Sequence, residues 1–302
     1  MRARIRDTEI YFDVDGAGLV PDGAAMRERP VGFAIHGGPG GDHSGFKPGY
    51  AALTAAMQVV YFDHRGQGRS ARGDPARWTL DETVEDMEAL RRHLGLGPIV
   101  SIGTSYGGMV AQAHAARYPE AVSHLILLVT AAHGGFIPRA EAFVRAHGTA
   151  EQRAVCDTLW AGGFRDEAAV KRYYAAMGPL YARRHDPAKA AEGAARTIHS
   201  PEALNRAFGP EGFLRRFDLR PELPRITAPT LVVSGAHDWI CPPAFGEEIH
   251  RLIPQSRYLL FEQSSHSLRV DEPERLTAEI LRFVAASPPA LAEQPSPRDG
   301  QG

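Results

Sequence analysis

Ser105 is the residue of this chain most plainly placed for chemistry. It stands in Gly103-Thr104-Ser105-Tyr106-Gly107-Gly108, between the apolar run 99–102 and a helix-like segment 109–117. A serine flanked in this way fits a sharp strand-to-helix turn that exposes its hydroxyl at the top of a sheet. The small residues 103 and 107 let strand and helix approach while the serine is held in a strained conformation. The helix start also favours developing negative charge. A serine hydroxyl is a weak nucleophile. It needs a base within hydrogen-bond reach and a carboxylate to hold that base in one tautomer. When an elbow of this kind serves a triad, acid and base follow in the chain order Ser, acid, His, in loops after the last strands. Asp238, in Ser234-Gly235-Ala236-His237-Asp238, and His266, in Gln263-Ser264-Ser265-His266-Ser267, occupy those positions.

The chain has thirteen histidines, so position must choose among them. His36, His64 and His237 also lie near strand ends. His36 opens the glycine-rich loop 36–41 and reads as a brace for it, His64 belongs to a motif of its own, and His237 abuts the acid. Asp218 and Asp271 are rivals for the acid, less well placed in sequence. The oxyanion of an acyl transfer needs two donors. The Tyr106 N–H, directly after the nucleophile, supplies one, and the Gly38 N–H supplies the other, since glycine lets the peptide turn inward. Pro39 has no N–H and only shapes the loop. The loop lacks the spacings of a phosphate cradle.

These residues require a sheet with its strand ends at one edge. Strand signals at 9–14, 31–35, 58–62, 99–102, 122–129, 229–235 and 257–261 alternate with helical stretches at 50–57, 79–94, 109–118, 243–252 and 273–284. That rhythm predicts a mostly parallel sheet with helices on both faces and ligands at the carboxyl ends of the strands. Residues 134–225 break it. They hold helix-like pieces at 138–146, 151–159, 167–177, 187–196 and 201–208, with no convincing strand. Aromatic residues recur there, most of them serving helix packing. A helical insertion over the strand ends forms a lid and a partly apolar pocket. The expected organisation is a core of 1–133 and 226–286, a helical cap of 134–225 and a disordered tail of 287–302.

With 302 residues, 43% hydrophobic and 23% charged, the chain can bury a sizeable core, and its formal net charge of −2 points to neither nucleic acid nor an anionic membrane. Cys156 and Cys241 have no metal-ligand spacing. The N-terminal residues lack the apolar core of a signal peptide, and the longest apolar run, 125–132, is too short to span a bilayer. A cytoplasmic enzyme is expected, without metal or cofactor and of open oligomeric state.

Three motifs in order, His-Gly-Gly-Pro-Gly at 36–40, Asp-x-Arg-Gly-x-Gly-x-Ser at 63–70 and Gly-x-Ser-Tyr-Gly-Gly at 103–108, resemble those of proline iminopeptidases and related aminopeptidases of the α/β-hydrolase fold. The resemblance covers roughly 5–135 and 225–285. It implies an α/β-hydrolase fold with a helical cap inserted after the sixth strand. It also implies a serine hydrolase without cofactor, and loop-supporting roles for His36, Gly37, Pro39, Asp63 and Arg65. The peptidases hold the substrate's α-amino group with cap glutamates, commonly beside a tryptophan. Trp160 of this chain is followed by Ala161-Gly162 instead. Candidate pocket residues are Trp160, Tyr173, Tyr181, Glu202 and Glu211.

Three functions follow, with an aminopeptidase releasing N-terminal residues from small peptides as the leading expectation and the others as alternatives to it. An aminopeptidase acting on small peptides needs an anionic cap pocket, because a buried ammonium without a counter-charge is costly. An esterase, lactonase or amidase acting on a small uncharged acyl substrate needs only triad, oxyanion hole and apolar cap. A non-catalytic binding protein would not need Ser105, Asp238 and His266 together. Serine at the elbow excludes the aspartate-nucleophile chemistry of dehalogenases and epoxide hydrolases.

Overall fold

The computed structural model describes residues 1–286, and the expected tail 287–302 lies outside them. Ten strands form: β1 (Arg2–Ile5), β2 (Thr8–Asp15), β3 (Leu19–Asp22), β4 (Ala25–Glu28), β5 (Val31–Ile35), β6 (Gln58–Phe62), β7 (Ile99–Thr104), β8 (Val122–Leu128), β9 (Thr230–Gly235) and β10 (Ser256–Phe261). Eight of them make one sheet in the order β1-β2-β6-β5-β7-β8-β9-β10. β1 and β2 pair antiparallel, as do β2 and β6, and every other neighbouring pair is parallel. The chain is therefore an α/β protein with a mostly parallel sheet. β7 is buried at every position, as a central strand covered on both faces should be.

Two apolar clusters lie on the sheet. One packs Phe33, Phe62 and Leu125 against Val84, Met87, Met109 and Val110 of the helices Leu80–His93 and Tyr106–Arg117. The other packs Val59, Ile102 and Val233 against Leu276, Ile280 and Phe283 of the helix Pro273–Ala286. Thr79 caps the helix Leu80–His93 through the Glu82 N–H, as the sequence suggests.

Between β8 and β9 lie five α-helices: Phe136–His147, Ala150–Trp160, Glu167–Tyr181, Pro187–Arg196 and Pro201–Phe208. They share a third cluster containing Val144, Cys156, Leu159, Val170, Tyr173 and Met177, joined by Trp239 from the loop after β9. Three of these helices are longer than their signals, Ala150–Trp160 by one residue at each end. The first starts two residues before Pro138, because a proline in the first turn sacrifices no intrahelical bond. The third runs through Pro179 in its last turn. The hairpin β3–β4 gives almost no periodic signal. Its residues are largely exposed and Pro21 interrupts it, so no buried face marks its sequence.

Candidate active site

Ser105 sits between β7 and the helix Tyr106–Arg117 with φ 55° and ψ −119°, a region non-glycine residues rarely adopt. The surroundings over-determine it. The Ser105 N–H donates to the Leu128 carbonyl at 2.9 Å, and its carbonyl accepts from the Gly108 N–H at 2.8 Å and the Thr130 hydroxyl at 2.7 Å. A Cβ on Gly103 would collide with the Gly107 carbonyl, and one on Gly107 with the Ile35 carbonyl. The glycines thus permit the tight strand-to-helix passage that presents the serine. Tyr106 opens the helix, so its N–H has no intrahelical acceptor.

The loop after β10 carries His266 and the loop after β9 carries Asp238, both buried. His266 Nδ1 lies 2.8 Å from Asp238 Oδ2. Asp238 Oδ1 accepts the N–H groups of Ile240 at 2.9 Å and Cys241 at 3.0 Å. The carboxylate is thus fixed by its own turn, and Nδ1–H is the proton that satisfies its free oxygen. Ser105 and His266 line one cavity of about 1230 Å³. The Ser105 hydroxyl has no hydrogen-bond partner among the described residues. Such bonds are often long in unliganded enzymes.

The rival acids are engaged elsewhere. Asp218 pairs with Arg220 at 2.6 Å. Asp271 is buried and accepts the Ser265 N–H and the Arg184 N–H, both at 2.8 Å, tying the His266 loop to the helical segment. His237 Nε2 lies 3.1 Å from the Glu262 carbonyl.

On the other side of Ser105, Gly37 and Gly38 line the cavity, Gly38 at φ +120° before a cis Gly38–Pro39 bond. Behind them, His36 Nδ1 lies 2.8 Å from the Gly37 carbonyl, and His36 Nε2 accepts the His64 N–H at 3.3 Å. Burial pushes both rings below the usual histidine range, which suits these neutral-ring bonds. Asp63 is fully buried. Burial works to raise its carboxyl, but the hydrogen bond from His43, the nearby imidazoles and the Arg69 backbone N–H outweigh it and hold the carboxyl at about 2. It accepts the His43 N–H at 2.9 Å and the Arg69 N–H at 2.8 Å. Arg65 grips Asp86 with two bonds of 2.7 Å, fixing the loop 63–70 to the helix Leu80–His93. Sequence reasoning missed Asp42. It accepts the Ile198 N–H at 2.9 Å and Arg69 Nη1 at 2.7 Å, joining both loops to the helical segment.

Aromatic side chains form part of the cavity wall. Trp160, Tyr173 and Tyr181 line it, as do Trp239 and Phe46, which the sequence did not single out. The Tyr181 ring stands edge-on to His266 at 5.7 Å and to Trp239 at 5.8 Å. The Tyr173 and Tyr181 hydroxyls meet at 3.1 Å. The expected pocket glutamates require correction. Helix Pro201–Phe208 buries Ala203, Leu204 and Ala207, which turns Glu202 outward. Glu211 is exposed and pairs with Arg216 at 3.3 Å. Neither lines the cavity. The carboxylates that do are Asp42, Asp186 and Glu274. Asp42 is engaged as above, Asp186 caps the helix Pro187–Arg196, and Glu274 is exposed.

Among the described residues no group of three or more His, Cys, Asp or Glu is arranged to hold a metal ion, and no helix is long and apolar enough to cross a membrane. Residues 33–273 match the family described as alpha/beta hydrolase fold. The chain is 29% identical over 278 residues to the proline iminopeptidase PfmaB of Pestalotiopsis fici, covering 89% of this chain and 97% of that one. Among solved structures it resembles the proline iminopeptidase of Mycobacterium smegmatis, with a TM-score of 0.75 at 25% identity over 95% of this chain and 98% of that one. It also resembles the enol-lactonase of Burkholderia xenovorans LB400, with a TM-score of 0.69 at 25% identity over 94% of this chain and all of that one. The three motifs, the sheet order and the family match over most of the chain agree: this is an enzyme of the α/β-hydrolase family, in its proline iminopeptidase-like branch.

Proposed function

We propose that the chain is a serine hydrolase working through an acyl-enzyme, with Ser105 as nucleophile, His266 as base and Asp238 as the acid that orients it. The observation that carries this is the Asp238–His266 bond of 2.8 Å opening on the same cavity as a serine held at φ 55°. Ser105 Oγ attacks a carbonyl carbon while His266 Nε2 takes its proton. The N–H groups of Tyr106 and Gly38 hold the oxyanion. His266 then protonates the leaving group, and water, activated by the same ring, releases the acid. Residues 134–225 act as the cap over a core of 1–133 and 226–286, and the cavity takes a small molecule or short peptide.

For the substrate class, the wall favours esters, lactones or amides without an ammonium at the acyl residue. Each cavity carboxylate is either engaged or exposed, so none stands as a buried counter-charge for a free amine. An aminopeptidase is the second reading, favoured by relatives named proline iminopeptidases that align over most of the chain. Short-chain aryl esters assayed beside prolyl arylamides with free and blocked amino groups separate the two. Ester turnover without arylamide cleavage is expected. Cleavage of the free-amine arylamide, lost on blocking, would establish the aminopeptidase instead. A fluorophosphonate probe should label the wild type and not Ser105→Ala; equal labelling refutes the nucleophile.

A further inference from the structure

Arg269 is a cation in the cavity wall that no carboxylate balances. It lies on the short helix Leu268–Asp271, one turn beyond His266, and lines the same cavity as Ser105. The other lysine and arginine residues of the wall, Arg184, Lys189 and Arg196, are exposed; Arg269 is half-buried. Its guanidinium carbon stands 4.2 Å over the Phe46 ring, and no ion pair to it exists among the described residues. Burial pushes it below the ordinary arginine value, with only Tyr50 opposing.

The path from Arg269 to the reacting serine is short and continuous. Phe46 reaches from the guanidinium to Gly37: a Cβ on Gly37 would stand 3.4 Å from Phe46 Cζ and 3.2 Å from Ser105 Cβ. The Phe46 ring thus meets the guanidinium across its face and the backbone beside Ser105 at its Cζ edge. A partly desolvated, unpaired arginine is costly unless a ligand completes it, and its planar fork matches a carboxylate.

We propose that Arg269 is a specificity-determining residue that receives an anionic group, of the carboxylate type, on an acyl substrate whose ester or amide carbonyl sits at Ser105. This rests on the serine-hydrolase reading above and names its substrate class: monoanionic esters, lactones or amides with the charge one ring's breadth from the scissile bond. The same positive wall disfavours a substrate ammonium, consistent with the lack of a free buried carboxylate there.

The test compares monoethyl adipate with diethyl adipate, followed by pH-stat, on wild type, Arg269→Gln and Arg269→Lys. The readout is the ratio of kcat/KM for monoanion over diester within each protein, which cancels a general loss of activity or folded fraction. Wild type should favour the monoanion by about tenfold or more, through KM, the scale of one hydrogen-bonded charge pair. Arg269→Gln should abolish the preference and Arg269→Lys should keep part of it. A guanidinium that only stacks on Phe46 would alter stability and leave the ratio unchanged, and an unchanged ratio overturns the proposal. Calorimetric titration of Ser105→Ala with the same two esters reads the subsite without turnover. Tighter binding of the monoanion, lost on adding Arg269→Gln, supports it; equal affinities overturn it. Failure of the catalytic reading shows separately, as absent fluorophosphonate labelling and no turnover of either ester.

Discussion

Asp238→Asn separates the geometry of the candidate triad from its charge. In the native turn Oδ1 accepts two N–H groups, from Ile240 and Cys241. An asparagine must keep its oxygen there, because the flipped amide would set donors against donors. Its NH2 group is then forced onto His266 Nδ1. That ring must offer a lone pair at Nδ1 and carry its proton on Nε2, where Ser105 needs an acceptor. The alternative tautomer faces donor to donor and lacks the carboxylate that balances the imidazolium. Unit charges at 2.8 Å attract by about 6 kcal/mol at an effective dielectric constant of about 20. Losing most of that in the transition state lowers kcat by roughly 10³–10⁴-fold. Both backbone bonds survive, so the melting temperature should move by only a few degrees. Asp238→Ala should lose similar activity and also about 1–3 kcal/mol of stability for each buried donor left unpaired. The assay is ester turnover at pH 8 beside a thermal melt of each variant. A folded Asp238→Asn enzyme within tenfold of wild-type kcat would refute the assignment of Asp238.

Other consequences can be checked with the same preparations. Gly107→Ala should destabilise the fold by about 3 kcal/mol, roughly 10 °C in Tm, because its methyl meets the Ile35 carbonyl of a central strand; an unchanged melt would contradict the close packing at the elbow. The Asp63 carboxyl is held at about 2 in the fold, below its usual 3.8. It therefore contributes about 2 kcal/mol above pH 4, lost as the pH falls toward 2. Urea unfolding should show stability falling over that window and a flatter profile in Asp63→Asn; parallel profiles would remove Asp63 as a cause. Glu202→Gln and Glu211→Gln should leave KM for amino-acyl arylamides and esters within twofold of wild type, since both side chains face solvent; a large rise in KM for either would reopen the anionic cap.

Much of the framework is legible in the sequence, because each part is written locally. The short apolar run 99–102 leads at once into Gly103-Thr104-Ser105-Tyr106-Gly107, so strand, turn and helix start fall within ten residues. Thr79 and Asp81 announce the helix they begin. Asp238 and His266 each follow a recognisable strand by a few residues, and strand ends in a parallel sheet share one edge. The hairpin β3–β4 is illegible for the opposite reason: with neither face buried, its sequence carries no alternation.

The cavity wall is legible only in part, and the misses have a common cause. Trp160, Tyr173 and Tyr181 stand out as aromatics in a helical stretch, but Phe46, Trp239 and Arg269 come from three separate segments outside it. A glutamate in the cap looks suited to an amine until its helix phase is known. Glu202 lies beside Ala203 and Leu204 in sequence, yet one helical step carries it from the buried face to solvent. Arg269 reverses the case. Its tetrapeptide Leu268–Asp271 looks like an ordinary continuation toward the last helix. Only the fold shows that Asp271 is spent on two backbone N–H groups and is no partner for it. The charge that selects a substrate is therefore a difference between neighbours: one acid satisfied by backbone, one base left facing the cavity. Spacing along the chain cannot express that difference, whereas the arrangement of hydrogen bonds does.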